Sequence, residues 1–353
     1  MLFRKDSESL KNYLTSMNPS EYFSIKFDQG KLIFLDQTKL PLKEVYVETD
    51  NYERIAEAIE RLEIRGAPLI GIAAAYALAL ALKNNQTDQD KIFNSAYNRL
   101  SKTRPTAVNL FKALNDLKQE FEKLSDKLNA HNTLLSKAKQ IHQKDEEFCT
   151  KIGRNGLTLF KQRSNILTHC NTGKLATGGI GTAFGIIKTA FENGLVNHVF
   201  ADETRPLFQG LRLTAFELEK SGIPFTMQTD SSAAELMKQG KVDLVITGAD
   251  RIALNGDSAN KIGTYNLAIL ANYHNIPFYI AAPSTTIDRK IATGNEIVIE
   301  YRNKYELFYL GDTLITPEHF NAFTPAFDVT PAHLIAGIIT EEGVFSFPYN
   351  FLQ

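Results

Sequence analysis

Five short apolar runs in the second half of the chain constrain its fold more than any other feature. They cover residues 165–168, 198–201, 225–227, 244–247 and 278–281. Each run ends in polar residues, and most neighbours are separated by a stretch long enough for a helix. This alternation is typical of βαβ units, in which helices cover both faces of a parallel sheet. We therefore predict a Rossmann-like C-terminal domain over residues 131–353.

The first half of the chain instead shows the spacing of helices. Apolar residues recur in steps of three and four across 108–128, which predicts one amphipathic helix there. Apolar runs broken by a proline within 31–50 predict a small β element, a hairpin-like pair of strands ending near Val47. A length of 353 residues exceeds that of a typical single domain. We therefore predict a mainly helical N-terminal domain over residues 1–130 and an α/β fold overall.

The composition argues against nucleic acid and membranes as partners. Lys and Arg total 39 against 40 for Asp and Glu, so the chain has no excess of positive charge to attract an anionic polymer or bilayer. The longest apolar run, 67–82, is shorter than the ~20 residues that span a bilayer and predicts a buried helix. The N-terminus of the chain has no signal peptide pattern, and two cysteines are too few for a disulfide framework. We expect a cytoplasmic protein with a small-molecule partner.

Reactive side chains follow the predicted strands, where open parallel sheets bind their ligands. Cys170 comes just after the first run, where a nearby cation or a helix N-terminus would favour its thiolate. Asp250 follows the fourth run, and burial there would keep its carboxyl group protonated, as a general acid requires. An ion pair with Arg251, or a helix cap, explains Asp250 equally well. Cys149, on an amphipathic helix, is interpreted as an inert buried residue.

The loop 178–182 holds three glycines between the first predicted strand and its helix. Backbone N–H groups there could bind a phosphate at the helix N-terminus. The loop also partly matches a dinucleotide fingerprint, because Asp202 follows at about the ~20-residue spacing of a ribose-binding acid. Phe184 occupies the third glycine position, however, and the loop is too long, which disfavours NAD. Lys261, near the start of a later helix, could neutralise a phosphate or be a surface lysine.

The sequence predicts no catalytic metal and no P-loop. It has no HExxH, no CxxC and no GxxxxGK[ST], and its 7 histidines are dispersed.

Seven longer segments together resemble the methylthioribose-1-phosphate isomerases, within the superfamily of the regulatory subunits of translation initiation factor 2B. The resemblance covers nearly the whole chain. Its segments are LDQTKLP (35–41), IRGAPLIGIAAAYALAL (64–80), RPTAVNL (104–110), THCNTGKLATGGIGTAFG (168–185), ADETRPLFQGLRLTAFEL (201–218), TGADRIALNGDSANKIGTYNLA (247–268) and PAFDVTPAHLIAGIITEEGV (325–344).

The resemblance implies an aldose–ketose isomerase of methionine salvage that converts 5-methylthioribose 1-phosphate to 5-methylthioribulose 1-phosphate, without a cofactor and as a homodimer. It implies a catalytic pair, Cys170 and Asp250. The substrate-binding residues that it implies are Arg65, Gly66, Ala67, Arg104, Gln209, Asn260 and Lys261. Three of these are basic, which suits a phosphate monoester.

Two departures from the family pattern concern the surroundings of the site. Where the family usually shows Glu-Glu-Arg, this chain has Ile299-Glu300-Tyr301-Arg302, and Thr324 replaces a usual Asn. Both bear on the 5-substituent of the sugar more than on the reaction. The alternatives are an isomerase of 5-deoxyribose 1-phosphate or ribose 1,5-bisphosphate, a non-catalytic subunit like those of initiation factor 2B, and an NAD-dependent oxidoreductase.

Overall fold

Three short strands and five helices form the N-terminal part of the structure, a computed structural model that describes residues 21–83, 88–104 and 107–351. The strands are β1 (Ile25–Asp28), β2 (Lys31–Leu35) and β3 (Tyr46–Thr49), paired antiparallel in that order. The helices are α1 (Tyr52–Glu60), α2 (Ala67–Ala81), α3 (Gln89–Ser101), α4 (Val108–Glu122) and α5 (Ala130–Asn155). The prediction of a mainly helical N-terminal region with a small β element is confirmed.

Two details of that prediction are wrong. The β element has a third strand, β1, because a two-residue turn with positive φ folds it onto β2 as a hairpin. The helix predicted over 108–128 ends with α4, and Leu128 lies beyond it, 66% exposed. The side chain of Asp126 accepts a hydrogen bond from the Leu128 N–H, a local turn that competes with helix continuation.

Helix α2 is the centre of the N-terminal core. It is buried along almost its whole length, as the apolar run 67–82 predicts, and it packs against α4 and α5. Helix α5 then continues towards the C-terminal part, where it packs against α6 (Ala183–Glu192). Because α5 contacts both parts, the domain boundary between residues 130 and 131 stays a prediction.

The C-terminal part is built on a seven-stranded sheet. Its strands and those of two small sheets are β4 (Ser164–Thr168), β5 (Val196–Asp202), β6 (Phe225–Gln228), β7 (Leu244–Thr247), β8 (Arg251–Ile252), β9 (Ser258–Lys261), β10 (Phe278–Ala281), β11 (Tyr309–Leu310), β12 (Thr313–Leu314), β13 (Phe327–Thr330), β14 (Gly337–Thr340) and β15 (Gly343–Phe345). The further helices are α7 (Ala215–Lys220), α8 (Ala233–Lys238), α9 (Thr264–Tyr273) and α10 (Tyr305–Phe308).

The order of the large sheet is β15-β14-β10-β7-β4-β5-β6, and every pair is parallel except β14–β15. Neighbouring residues of a strand join different cores: Ile166 and Ile246 lie in one, Leu167 and Val245 in the other. Both faces are therefore covered, and all five predicted strands are confirmed, as is the Rossmann-like architecture. Strands β14 and β15 were not predicted.

The order in which the parallel strands are added to the sheet reverses between β4 and β7. From β4 the sheet grows through β5 to β6, and it then resumes on the other side of β4 with β7. Such a switch point opens a crevice at the carboxyl ends of the two strands, where open α/β sheets bind ligands. No helix among the described residues combines the length and the apolar character that crossing a bilayer requires.

Candidate active site

A cavity of about 140 Å³ lies at this switch point. Cys170 follows β4 and Asp250 follows β7, so both enter the cavity from the two adjoining strand ends. The structure brings every residue of the predicted site to the walls of this one cavity. Arg65 and Gly66 precede α2, Ala67 opens it, Arg104 follows α3, Gln209 follows β5, and Asn260 and Lys261 end β9. The two half-chains therefore meet in the site.

Cys170 is buried and has an unusual backbone. Its φ is +62°, in the left-handed region that a non-glycine residue seldom adopts. Burial raises the pKa of the thiol, and the nearby positive charges of Arg65 and Lys261 oppose that shift without overcoming it. The predicted cations are therefore present and favour the thiolate, but burial has the larger effect on the pKa of the thiol.

Asp250 presents an unpaired carboxyl group to the cavity. Its backbone N–H donates to the Ala259 carbonyl at 2.9 Å, while no described residue hydrogen-bonds the carboxyl group. The predicted alternative of an ion pair with Arg251 is not observed, because that guanidinium lies 3.8 Å from Asp288 instead. Burial raises the pKa of Asp250, and the nearby cations, Lys261 foremost, oppose the rise. A raised pKa keeps a carboxyl group protonated to higher pH, as a general acid requires.

Three cations surround that acid. Arg65 donates to the Asn171 carbonyl at 2.9 Å, and Arg104 lies 3.6 Å from the Glu300 carboxylate. The ammonium of Lys261 lies 4.5 Å from the centre of the Phe327 ring. Burial lowers the pKa of both Lys261 and Arg104, so their charges are poorly solvated. A multiply charged anion would relieve that cost, as a phosphate monoester does.

Lys261 lies at the end of a strand, three residues before α9, so the prediction that it lies near a helix start is confirmed. It ends β9, which pairs with β13, and α9 begins only at Thr264. Pairing with β13 points this polar segment along the cavity wall.

The glycine loop does not have the role predicted for it, the binding of a phosphate by its backbone N–H groups. The Gly178 N–H donates to the Asp145 carboxylate at 2.6 Å. A side chain at Gly179 would collide with Cys149 of α5, so that glycine is needed for close packing. Burial raises the pKa of the Cys149 thiol, in keeping with the inert interpretation. The loop contributes Thr182 to the cavity wall instead, and Thr177 just before it also lines the cavity.

The two departures from the family pattern lie side by side in the structure. The Arg302 N–H donates to the Thr324 carbonyl at 2.9 Å, and the Thr324 hydroxyl donates back to the Arg302 carbonyl at 2.7 Å. Arg302 lines the cavity and pairs with Glu300 and Glu306. Segment 297–299 adds an apolar wall. Sequence reasoning missed this wall, because nothing local shows that the segment reaches the switch point.

A cluster of the buried His169 and Asp202 and the half-buried Asp230 lies next to Cys170, with ligand atoms within 4.8 Å of one another. Each atom already has a protein partner. His169 contacts the Asp202 carboxylate through Nδ1 and the Ile262 carbonyl through Nε2, both at 2.9 Å. Asp230 accepts from the Thr204 and Arg205 N–H groups. Burial disfavours charge on His169, yet the Asp202 carboxylate outweighs it and raises the histidine pKa. The hydrogen bonds of the cluster thus connect several loops to one another.

Fold and cavity define an α/β protein whose candidate ligand site lies at the switch point of a parallel sheet. Residues 63–347 match the model of the initiation factor 2 subunit family, and the chain belongs to that family. The sequence is 51% identical over 330 residues to methylthioribose-1-phosphate isomerase of Caldicellulosiruptor saccharolyticus, covering 92% of this chain and 96% of that protein. It is 50% identical over 323 residues to the enzyme of that name from Carboxydothermus hydrogenoformans, covering 90% and 94%.

Solved structures give the same grouping. The 5-methylthioribose 1-phosphate isomerase from Pyrococcus horikoshii OT3 matches with a TM-score of 0.87 and 38% identity, over 95% of this chain and 96% of that one. A structure described as translation initiation factor eIF-2B, subunit delta, from A. fulgidus matches with a TM-score of 0.83 and 41% identity, over 93% and 97%. The resemblance predicted from the sequence is confirmed.

Proposed function

We propose that this chain is an aldose–ketose isomerase that converts 5-methylthioribose 1-phosphate to 5-methylthioribulose 1-phosphate in methionine salvage. One observation carries the proposal: an unpaired carboxyl group, a buried thiol and three cations line a single cavity at the switch point of the sheet. The names of the relatives agree with it.

The phosphate of the substrate would bind the cations. Arg65, Arg104 and Lys261 come from three separate elements, so they can surround an anion rather than contact one side of it. Gln209 has a buried side-chain oxygen with no partner, which would accept a hydrogen bond from a sugar hydroxyl. Asn260 and the backbone at Gly66 and Ala67 line the same space.

Asp250 would act first, as the general acid. An aldose 1-phosphate is locked as a cyclic acetal, so the bond between C1 and the ring oxygen must break before isomerisation can start. The protonated Asp250 would donate its proton to the ring oxygen, which leaves C1 as the O4 hydroxyl. Because no described residue hydrogen-bonds this carboxyl group, its proton is free to be donated to the substrate.

Hydrogen would then move from C2 to C1, and the proton of the O2 hydroxyl would be released, so that the product is an isomer of the substrate. The transfer is either a hydride shift or a proton relay through an enediol. Cys170 would stabilise the transition state in the first route, whereas in the second its thiolate, favoured by Arg65 and Lys261, would act as the base. Neither route changes the overall redox state, so the reaction needs no cofactor.

The apolar wall favours an uncharged 5-substituent. Leu207 and the segment 297–299 line the cavity together with the basic residues. Each methylene or sulfur buried there contributes about 1 kcal/mol of binding, whereas a second phosphate would need cations at that end. Turnover of ribose 1,5-bisphosphate without turnover of the methylthio sugar would reverse this preference, and 5-deoxyribose 1-phosphate tests whether the sulfur is needed.

The test is an NMR assay of the purified protein with 5-methylthioribose 1-phosphate, following the ketose signal. We expect conversion by the wild type. Cys170→Ser and Asp250→Asn should each lose ~2 kcal/mol or more of transition-state stabilisation, a fall of roughly 30-fold in kcat/KM. Cys149→Ser makes the same chemical change outside the cavity and should keep its activity. No conversion by folded wild type would refute the proposed substrate.

A regulatory subunit is the second candidate function, because the A. fulgidus protein of that description matches at 41% identity. It predicts association with a translation factor and no turnover of any pentose phosphate. The cavity argues against it, since partner binding alone does not require an unpaired acid beside a thiol.

The homodimer and the cytoplasmic location also belong to the proposal. Segment 298–323 exposes many large apolar side chains, among them Val298, Tyr301, Ile315 and Phe323. An apolar strip of this kind marks protein–protein contact sites. We expect light scattering to give twice the chain mass of 39.5 kDa. A monomer at all concentrations would refute the dimer.

A further inference from the structure

The backbone of Cys170 needs an explanation that the proposed reaction does not supply. A left-handed conformation costs an L-residue roughly 1–2 kcal/mol, and cysteine lacks the local side-chain hydrogen bonds with which Asn and Asp offset it. Residues held in such conformations persist only where their surroundings enforce them. At φ +62°, Cys170 directs its thiol away from the course that an extended strand end would give it.

Two buried threonines bracket that backbone. The Cys170 N–H donates to the Thr204 hydroxyl oxygen at 2.9 Å, and the Thr214 hydroxyl donates to the Cys170 carbonyl at 2.5 Å. Thr204 is 0% exposed and Thr214 2% exposed. Both polar groups of one residue are therefore held by side chains that lie 34 and 44 residues away in the sequence.

Thr204 is itself held in an unusual conformation. Its φ is +60°, which is rare for a β-branched residue. Its N–H donates to the Asp230 carboxylate at 2.8 Å, and its hydroxyl donates to the Asp202 carbonyl at 3.3 Å. The hydroxyl oxygen is thereby oriented with its lone pair towards Cys170.

Thr214 is placed by a second irregularity. It ends a π-helical turn, Gly210–Thr214, that leads into α7. A Cβ at Gly210 would lie 1.7 Å from the Asp202 carbonyl oxygen, so only glycine allows the turn to approach β5 this closely. Turns of this type occur frequently at functional sites.

We propose that the hydroxyl groups of Thr204 and Thr214 are positioning groups that hold Cys170 in its left-handed conformation and so direct its thiol into the cavity. Two irregular segments converge on Cys170, which carries the thiol of the candidate site. The catalytic consequence rests on the proposed function. The geometry of the thiol does not, and it can be measured without substrate.

The test compares two replacements at each position. Thr→Val keeps the size and branching and removes the hydroxyl, whereas Thr→Ser keeps the hydroxyl. Thr204→Val, Thr204→Ser, Thr214→Val and Thr214→Ser are made in a Cys149→Ser background, so that Cys170 is the only thiol. Thr189→Val is the matched control, because Thr189 donates to the Gly185 carbonyl within α6 at 2.8 Å and does not line the cavity.

Two readouts separate positioning from stability. The first is the rate of alkylation of Cys170 by iodoacetamide against pH; the second is kcat and KM for the methylthio sugar, with thermal unfolding recorded for each variant. Loss of one neutral hydrogen bond lowers a rate or equilibrium constant by about 10-fold. We expect both Val variants to lower kcat by about that factor with little change in KM, and to shift the alkylation profile. The Ser variants and Thr189→Val should match the background protein.

Val variants that lose only thermal stability, with wild-type kcat and alkylation profile, would overturn the inference. Ser variants as impaired as the Val variants would overturn it too, since the hydroxyl would then not be the cause. A shifted alkylation profile in a protein that converts no pentose phosphate would support the positioning of Cys170 while refuting the proposed function.

Discussion

Glu217 of α7 joins three parts of the molecule, and its replacement gives the sharpest stability test. The side chain is 0% exposed. One carboxylate oxygen accepts from the Tyr22 hydroxyl at 2.7 Å and from the Leu175 N–H at 3.0 Å, and the other accepts from the Asn171 amide. Glu217→Ala would leave the buried Tyr22 hydroxyl and Leu175 N–H without a partner, and the Asn171 amide with only its 3.4 Å bond to the Thr214 hydroxyl. At 1–3 kcal/mol for each unsatisfied group, partly relieved by water, we expect a loss of about 3–5 kcal/mol.

Glu217→Gln should cost far less, about 1 kcal/mol or below. The glutamine oxygen can keep the bonds from Tyr22 and Leu175, while its NH₂ group would face the NH₂ of Asn171. The Asn171 oxygen is buried and has no partner, so rotating that amide by a half-turn restores a hydrogen bond. Glutamine also removes the cost of burying a charge, which raises the pKa of Glu217.

The measurement is urea unfolding of both variants, monitored by circular dichroism. The control is the double variant Asn171→Asp/Glu217→Gln, which exchanges donor and acceptor between the two side chains. The exchange should stay within about 1 kcal/mol of wild type. Equal destabilisation by Gln and Ala would contradict the amide rotation, and a loss below about 1 kcal/mol for Ala would show that Glu217 does not join these segments.

Three further predictions concern charge and backbone. Burial raises the pKa of Asp145 to about 6, so its stabilising contribution is complete below an unfolded pKa near 4 and is lost as the pH rises through 6. Between pH 5 and pH 8, the free energy of unfolding of Asp145→Asn in urea should gain about 1–1.5 kcal/mol over that of the wild type, and a constant difference would contradict this. Gly66→Ala should lose about 3 kcal/mol or more, because φ is +93° and the new Cβ would lie 2.6 Å from the Ala176 Cα. Gly240→Ala, at φ +66° with nothing within 4 Å, should lose only about 1 kcal/mol. The alkaline limb of kcat should lie at higher pH than that of kcat/KM, since Asp250 must be protonated and a bound phosphate offsets the cations that favour its ionised form.

The strands that sequence reasoning found share one property: each is an apolar run with a polar residue at its end. The strands it missed lack that mark. Strand β14 continues an apolar stretch that begins in the preceding turn, and periodicity alone cannot divide such a stretch into helix and strand. Strand β9 reads Ser-Ala-Asn-Lys, which resembles a loop, and only pairing with β13 makes it extended.

The candidate site was predictable to the extent that the fold was. Cys170 and Asp250 follow recognisable strands, and adjacent parallel strands bring their carboxyl ends together. The direction of the thiol was not predictable. It depends on Thr204 and Thr214, and no local pattern says that a hydroxyl 34 or 44 residues away will meet a given backbone group.

The cations and the acid of the cavity have opposing effects until a ligand arrives. Arg65, Arg104 and Lys261 lower the pKa of Asp250, although burial keeps it above its usual value. A bound phosphate dianion would offset those charges and add a negative charge of its own, and both changes favour the protonated carboxyl group. Binding of the substrate would thus raise the pKa of the group that must donate a proton to it. The same charges would serve affinity before the reaction and acidity during it, which would explain why a nearly neutral protein places three half-buried cations around one unpaired carboxyl group.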